Sequence, residues 1–264
     1  MTIIRAKKSL GQHFLKDLGV AKRTAETLAA YRGVPVLEVG AGTGVLTRFL
    51  IAEGHDLSVV ELDGLSVDVL QREFPQLQGR IYHEDFLKMN LKEVYGDRKF
   101  CITGNYPYYI SSQIFFKALD YREQVVCCSG MLQKEVAERL AAASGKKPFG
   151  ILSALIQPWF DVEYLFTVSE EVFDPPPKVK SAVVRMTRNS RTMLGCDEAL
   201  YKQVVKTAFN QRRKTLRNSL KPLLTKDCPL LTQKIFDLRP EQLSVEQFID
   251  LTLLINTQHE DTKI

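Results

Sequence analysis

The chain has 264 residues, of which 45% are hydrophobic and 25% charged, with a formal net charge of +5. Such a chain buries a sizeable core, as one large domain or a large and a small one, and has the balance of an ordinary globular protein. No apolar run is long enough to span a membrane and residues 1–8 hold no apolar leader core, so a cytoplasmic protein with no membrane partner is expected.

From about residue 10 to 188 short β-rich runs alternate with helical stretches. The spacing predicts strands at Val34–Val39, Leu57–Glu61, Arg80–Tyr82, Phe100–Thr103, Val125–Cys128 and Ala182–Met186. Between them it predicts helices at Thr24–Ala30, Gly44–Ala52, Ser66–Glu73, Ser112–Leu119 and Lys134–Ala142. That alternation argues for an α/β fold with a doubly wound, Rossmann-like sheet. After Arg188 the strand pattern stops, Asn189–Cys196 reads as a polar linker, and the rest reads as helix punctuated by Pro222, Pro229 and Pro240. Two domains are therefore expected, 1–188 and a small all-helical 189–264. Five cysteines without a CxxC pair argue against a disulfide framework, and four histidines without ligand spacing give no reason to expect a metal.

The segment Glu38-Val39-Gly40-Ala41-Gly42-Thr43-Gly44 closes the first strong strand and opens a helix. Glycines there let the backbone turn tightly and come close to a ligand. Glu61, at the end of the next strand and 21 residues after Gly40, is placed to accept from ribose hydroxyls. A dinucleotide fingerprint would need glycine at position 45, where the chain has Val45, and Glu38 would repel a pyrophosphate but not a sulfonium zwitterion. These details favour S-adenosylmethionine over a dinucleotide, with a ligand-free glycine turn as the plain alternative. Asp85 is either an acceptor for the adenine amino group or a loop-entry aspartate.

Asn105-Tyr106-Pro107-Tyr108 follows the fourth strand. The tetrapeptide is either turn chemistry or a clamp for a planar base. At the carboxyl end of a strand in a doubly wound fold, it shares the cofactor's crevice. Farther on, Leu200–Lys226 carries eight basic residues and no acidic one, so that segment is +8 and the remainder sums to −3. Read as one helix over Tyr201–Lys221, it puts Lys202, Lys206, Arg213, Lys214, Arg217 and Lys221 within an arc of about 120°. Val204, Val205, Ala208, Phe209 and Leu216 fall on the opposite side. Such a helix is either a solvated charged face or a phosphate-binding one, and one-sign clustering favours the second. Arg5, Lys7 and Lys8 add a short basic arm.

In order, Gly11-Gln12-His13-Phe14-Leu15, Glu38–Gly44, Glu61-Leu62-Asp63, Asp85 and Asn105–Tyr108 resemble the ribosomal RNA adenine dimethyltransferases. The match continues through Leu132–Leu140, Phe173–Val183 and Phe209–Leu220, covers most of the chain, and points to the small-subunit branch. The resemblance implies that His13 and Leu15 close over S-adenosylmethionine together with Gly40, Gly42, Glu61, Asp85 and Asn105. It implies that Asn105 and the Pro107 carbonyl accept from the adenine N6 amine while Tyr108 and Phe173 stack on the extruded base. It further implies a monomer that acts on small-subunit rRNA in a pre-30S particle and dimethylates two adjacent adenosines in the 3′-terminal hairpin loop. Tyr106 and Tyr109 stand where many relatives carry Leu and Asn, and Pro148-Phe149-Gly150 where a Tyr-Gly pair is usual. The packing around the target base is therefore expected to differ. The competing readings are a macrolide-resistance-type large-subunit rRNA methyltransferase, an assembly factor with methylation secondary, and a DNA adenine methyltransferase.

Overall fold

The structure, a computed structural model, describes residues 6–7, 11–224 and 228–261, the last three of these by backbone alone. In chain order the strands are β1 (Phe14–Leu15), β2 (Val36–Val39), β3 (Leu57–Glu61), β4 (Ile81–His83), β5 (Phe100–Asn105), β6 (Val125–Gln133), β7 (Phe160–Val168), β8 (Phe173–Asp174) and β9 (Ser181–Arg188). The α-helices are α1 (Leu18–Glu26), α2 (Thr47–Ala52), α3 (Gly64–Glu73), α4 (Leu91–Tyr95), α5 (Ser111–Asp120), α6 (Lys134–Leu140), α7 (Ile151–Ile156), α8 (Glu198–Asn210), α9 (Leu216–Ser219) and α10 (Val245–Asp261).

Seven strands form one sheet in the order β4-β3-β2-β5-β6-β9-β7, while β1 and β8 pair separately. Strands β2 to β6 run parallel, and β9 is antiparallel to β6. All four residues of β2 are buried, as expected for a central parallel strand covered on both faces. From β2 the chain steps outward to β3 and β4, then returns to β5 on the other side. The reversal between β2 and β5 opens a crevice beyond their carboxyl ends, where doubly wound folds bind ligands. The sheet is the expected Rossmann-like one.

The chain divides into two compact units, residues 1–137 with 161–188, and residues 138–160 with 189–264. The expected division put 138–160 with the sheet; they cluster instead with the helices. Inside the helical unit the reasons are visible. The Tyr201 hydroxyl donates to the Ala154 carbonyl (2.8 Å), and the Asn189 N–H to the Trp159 carbonyl (3.0 Å). Phe149, Phe209 and Phe248 form a ring stack with centroid spacings of 6.3 and 5.8 Å.

Strand β7 was not anticipated, although Phe160, Val162, Tyr164, Phe166 and Val168 alternate with the period of a strand. The basic stretch departs most. Helix α8 ends at Asn210, where Gln211 leaves helical geometry (φ −120°, ψ 50°), and a separate short helix begins at Leu216. No glycine or proline marks this break. Tertiary bonds hold it: the Leu216 N–H donates to the Leu238 carbonyl (2.8 Å), and the Arg212 guanidinium reaches the carbonyls of Lys147 and Phe149.

Candidate active site

A cavity of about 420 Å³ opens at the β2/β5 reversal, within the roughly 300–1,000 Å³ usual for small-molecule sites. Its wall includes His13, Leu15, Glu38, Gly40, Gly42, Glu61, Asp85, Asn105, Pro107 and Tyr108, segments widely separated in the chain. Of the residues expected to hold cofactor or base, all but Phe173 line it.

The glycine turn is built around a buried carboxylate. Gly40, Gly42 and Gly44 have φ of 71°, 56° and 81°, the left-handed region that a side chain disfavours. This geometry aims the Gly42 N–H at Glu61 Oε2 (2.8 Å), while the Asp63 N–H donates to Glu61 Oε1 (2.9 Å). The Leu62 N–H also bonds this carboxylate, which still keeps a lone pair for a ligand. Burial pushes the Glu61 carboxyl up from its usual range. Glu38 is buried and its Oε2 accepts from the Thr47 hydroxyl (2.7 Å); burial, reinforced by Glu61, pushes its carboxyl up to about 8. Burial thus favours the protonated forms of both groups, and a cation bound in this cavity would favour their ionised forms.

The N-terminal segment is pinned across the crevice. Lys7 Nζ meets Asp63 Oδ1 at 2.5 Å, and Gln12 Nε2 donates to Asp63 Oδ2 (3.2 Å). Burial alone would raise the Asp63 carboxyl, but these bonds and that from Ser66 outweigh it and hold it below the usual range. The ammonium of Lys7 is thus occupied, which corrects the expected basic arm; Arg5 and Lys8 lie outside the described residues. His13 Nδ1 lies 2.7 Å from the Pro175 carbonyl. A carbonyl only accepts, so Nδ1 carries the proton.

The same rule orients the key amide. Asn105 Nδ2 donates to the His13 carbonyl (3.1 Å), which fixes the amide's sense and leaves Oδ1 as an acceptor. The Pro107 carbonyl accepts the Ile110 N–H (3.1 Å) and retains one lone pair. The Tyr108 hydroxyl lies 2.5 Å from Ser181 Oγ, and its ring packs on His13 with centroids 5.5 Å apart. Asp85 Oδ1 accepts from the Leu87 N–H (3.0 Å), leaving Oδ2 available.

Phe173 does not join them. It is 1% exposed, pairs through β8 with Leu15, and packs with Ala21, Met131, Val168 and Val183. The stacking role expected of it is not what this structure presents: the β1–β8 pairing turns the ring into the core.

A family model described as ribosomal RNA adenine dimethylase matches residues 3–257. The chain belongs to this family. A Parabacteroides distasonis protein named ribosomal RNA small subunit methyltransferase A is 67% identical over 254 residues, 96% of this chain and 95% of that one. Its namesake from Bacteroides thetaiotaomicron is 61% identical, covering 96% and 94%. Among solved structures, a Plasmodium falciparum dimethyladenosine transferase superposes with a TM-score of 0.77 at 24% identity, over 94% of this chain and 98% of that one. The 23S rRNA methyltransferase ErmE superposes at 0.66 and 25% identity, over 92% and 99%. The fold is that of the class I S-adenosylmethionine-dependent methyltransferases.

In this chain two of the three unusual residues turn out to be core residues. Tyr106 is 1% exposed, donates its hydroxyl to the Ser129 carbonyl (3.0 Å) and meets Phe115 edge-on. A Cβ on Gly130 would lie 2.5 Å from its ring, so glycine there makes room for tyrosine. Phe149 is buried in the helical unit. Only Tyr109, 54% exposed and on the cavity wall, faces the mouth; a Cβ on Gly11 would come within 3.2 Å of its ring.

The helical unit carries the basic residues in two groups. Lys202 and Lys206 are exposed on α8, opposite the buried Val204, Val205, Ala208 and Phe209. Arg213, Lys214 and Lys221 are exposed beyond the end of that helix. Arg217 is engaged internally, donating to the Leu231 carbonyl and paired with Asp237. The expected single stripe is therefore broken at Asn210, and Lys226 lies outside the described residues.

Proposed function

We propose that this protein transfers methyl groups from S-adenosylmethionine to N6 of two adjacent adenosines in the 3′-terminal hairpin loop of small-subunit rRNA, acting as a monomer on a pre-30S particle. The observation that carries the chemistry is the Asn105 amide, tethered by Nδ2 to the His13 carbonyl, whose remaining oxygen lies in one wall with the Pro107 carbonyl. The choice of RNA rests on relatives, 61–67% identical, that are named ribosomal RNA small subunit methyltransferase A.

The crevice fits the cofactor on its own terms. Gly40 and Gly42 line it without a side chain, Glu61 retains a lone pair for a ribose hydroxyl, and a ligand bearing ammonium and sulfonium charge would favour the ionised forms of Glu38 and Glu61. His13 and Leu15 would cover it, and Asp85 would accept from its adenine amino group. When bound, the cofactor supplies an electrophilic methyl group. The chain's own residues then act on the target amine, a poor nucleophile because its lone pair is delocalised into the ring. Asn105 Oδ1 and the Pro107 carbonyl draw the two N–H bonds out of the ring plane and align the lone pair for attack. This is catalysis by orientation and preorganised acceptors. The amine proton leaves to solvent once the C–N bond has formed. Tyr108, held by Ser181, supports the extruded base by stacking. Lys202, Lys206, Arg213, Lys214 and Lys221 supply phosphate contacts, and the protein works in the cytoplasm without a metal.

The test is to incubate the protein and labelled S-adenosylmethionine with small subunits from cells lacking this modification, then map the label. Label on two adjacent adenosines of the 3′-terminal hairpin is expected. Label on large-subunit RNA alone would support the reading that the ErmE likeness suggests, and no transfer with tight particle binding would leave an assembly factor.

A further inference from the structure

The turn that follows β4, Asp85 to Met89, has its backbone polar groups divided between two residues. Asp85 takes the N–H groups: its side chain accepts from Leu87 (3.0 Å), and its carbonyl from Lys88 (2.9 Å) and Met89 (3.0 Å). The carbonyls go to one distant side chain. Lys117, on α5, donates to the carbonyls of Phe86 (2.6 Å), Leu87 (3.1 Å) and Met89. All three ammonium protons are used, and Nζ also stands 5.1 Å from the centroid of the Phe86 ring. Phe86 and Met89 are 4% and 2% exposed, so water is a poor substitute donor for their carbonyls.

We propose that Lys117 is a positioning residue for adenine recognition: by capping these carbonyls it holds the turn so that Asp85 meets the amino edge of the cofactor's adenine. The proposal rests on the reading of Asp85 given above. Helix α5 starts immediately after Asn105–Ile110, so the element that anchors the adenine turn also carries the loop presented to the target base. Burial lowers the ammonium's proton affinity, and Glu84, Asp85 and Asp120 counter it. A charged donor is what three carbonyls converging on one point require.

The experiment measures calorimetric affinities for S-adenosylhomocysteine and for S-inosylhomocysteine, which carries a carbonyl in place of the N6 amine. A charge-assisted bond from that amine to Asp85 predicts a preference of about 30-fold for the adenosyl compound in the wild-type protein. Lys117→Met lowers it to about threefold, while kcat at saturating cofactor changes less than the cofactor KM; Lys117→Arg restores most of it. If Lys117→Met does not fold, Lys117→Gln is scored by the same criterion, and failure of both to fold overturns the proposal in favour of a purely structural role. A lowered melting temperature with the preference intact overturns it as well. Asp85→Asn separates the two ideas. Loss of preference there with Lys117→Met unaffected sinks the proposal for Lys117 alone. Asp85→Asn keeping the preference, or its absence in the wild type, sinks the reading of Asp85 and this proposal with it.

Discussion

In and beside the crevice beyond β2 and β5 the groups Glu61, Asp63 and Asn105 are held by partners within the protein, whereas on the basic surface of the helical unit the cations are exposed and form no ion pair. Glu61 is bound by backbone N–H groups, Asp63 by Lys7, Gln12 and Ser66, and Asn105 by the His13 carbonyl. Among the described residues Lys202, Lys206, Arg213, Lys214 and Lys221 form no ion pair. The difference follows from what each region must bind. A methyl-transfer site gains from acceptors fixed before the reaction, because they need no reorganisation at that moment. A phosphate-binding surface gains from long, hydrated side chains that adapt to a flexible polyanion and release its counterions. Arg217 marks the boundary between these modes: basic by sequence, it spends its guanidinium on Asp237 and the Leu231 carbonyl.

This contrast can be broken by substitution. The largest effect is expected at Asn105. Asn105→Ala removes one of two acceptors and should lower the methyl-transfer rate about 10²–10³-fold. Titration calorimetry should find S-adenosylhomocysteine affinity changed less than tenfold; an unchanged rate would remove Asn105 from the chemistry. Next comes Phe173→Ala, which should cost about 3–5 kcal/mol of stability, as emptying a buried aromatic site does. Denaturant unfolding checks it. A variant of native stability that cannot methylate would instead restore the stacking role that burial argues against.

A weaker, salt-dependent effect is expected at the basic surface. Lys202→Glu with Lys206→Glu should weaken small-subunit binding about tenfold or more near physiological salt. Each lost phosphate contact should reduce the slope of log K against log salt by about 0.7–0.9. Turnover at saturating subunit should survive, as assayed by filter binding beside methyl transfer over a salt series. The smallest effect concerns Glu38. Its carboxyl keeps a proton in the folded state up to about pH 8, while the unfolded chain releases it at the ordinary carboxylate value. The unfolded state then binds fewer protons between those limits, so stability falls as pH rises from about 5 to 8, by at most about 1.4 kcal/mol per pH unit from this group. Glu38→Gln should flatten that slope in denaturant titrations, and an unaltered slope would show that Glu38 ionises freely.

Glycine spacing after a strand, an acidic residue at the next strand's end and a polar tetrapeptide after the fourth strand are local signals. They determined the Rossmann-like fold, the end of the sheet where the crevice lies and the position of Asn105 in it, because strand ends and tight turns are set by neighbours in sequence. Val204, Val205, Ala208 and Phe209 were legible as a buried face for the same reason. What only the tertiary structure decided depends on contacts between distant segments. Helix α8 stops at Asn210 without a breaker residue, since the Leu238 carbonyl and the carbonyls of Lys147 and Phe149 claim the next donors. Phe173 enters the core because β8 pairs with β1, 158 residues away between Leu15 and Phe173. Tyr106 and Phe149, read as neighbours of the target base, are absorbed by separate cores. Lys117 gave no signal at all in the chain, since nothing in a helix sequence says that three carbonyls some 30 residues earlier will converge on its ammonium. Local propensity and pattern thus chose the elements and the chemistry, and long-range packing chose which side chains were left free to perform it.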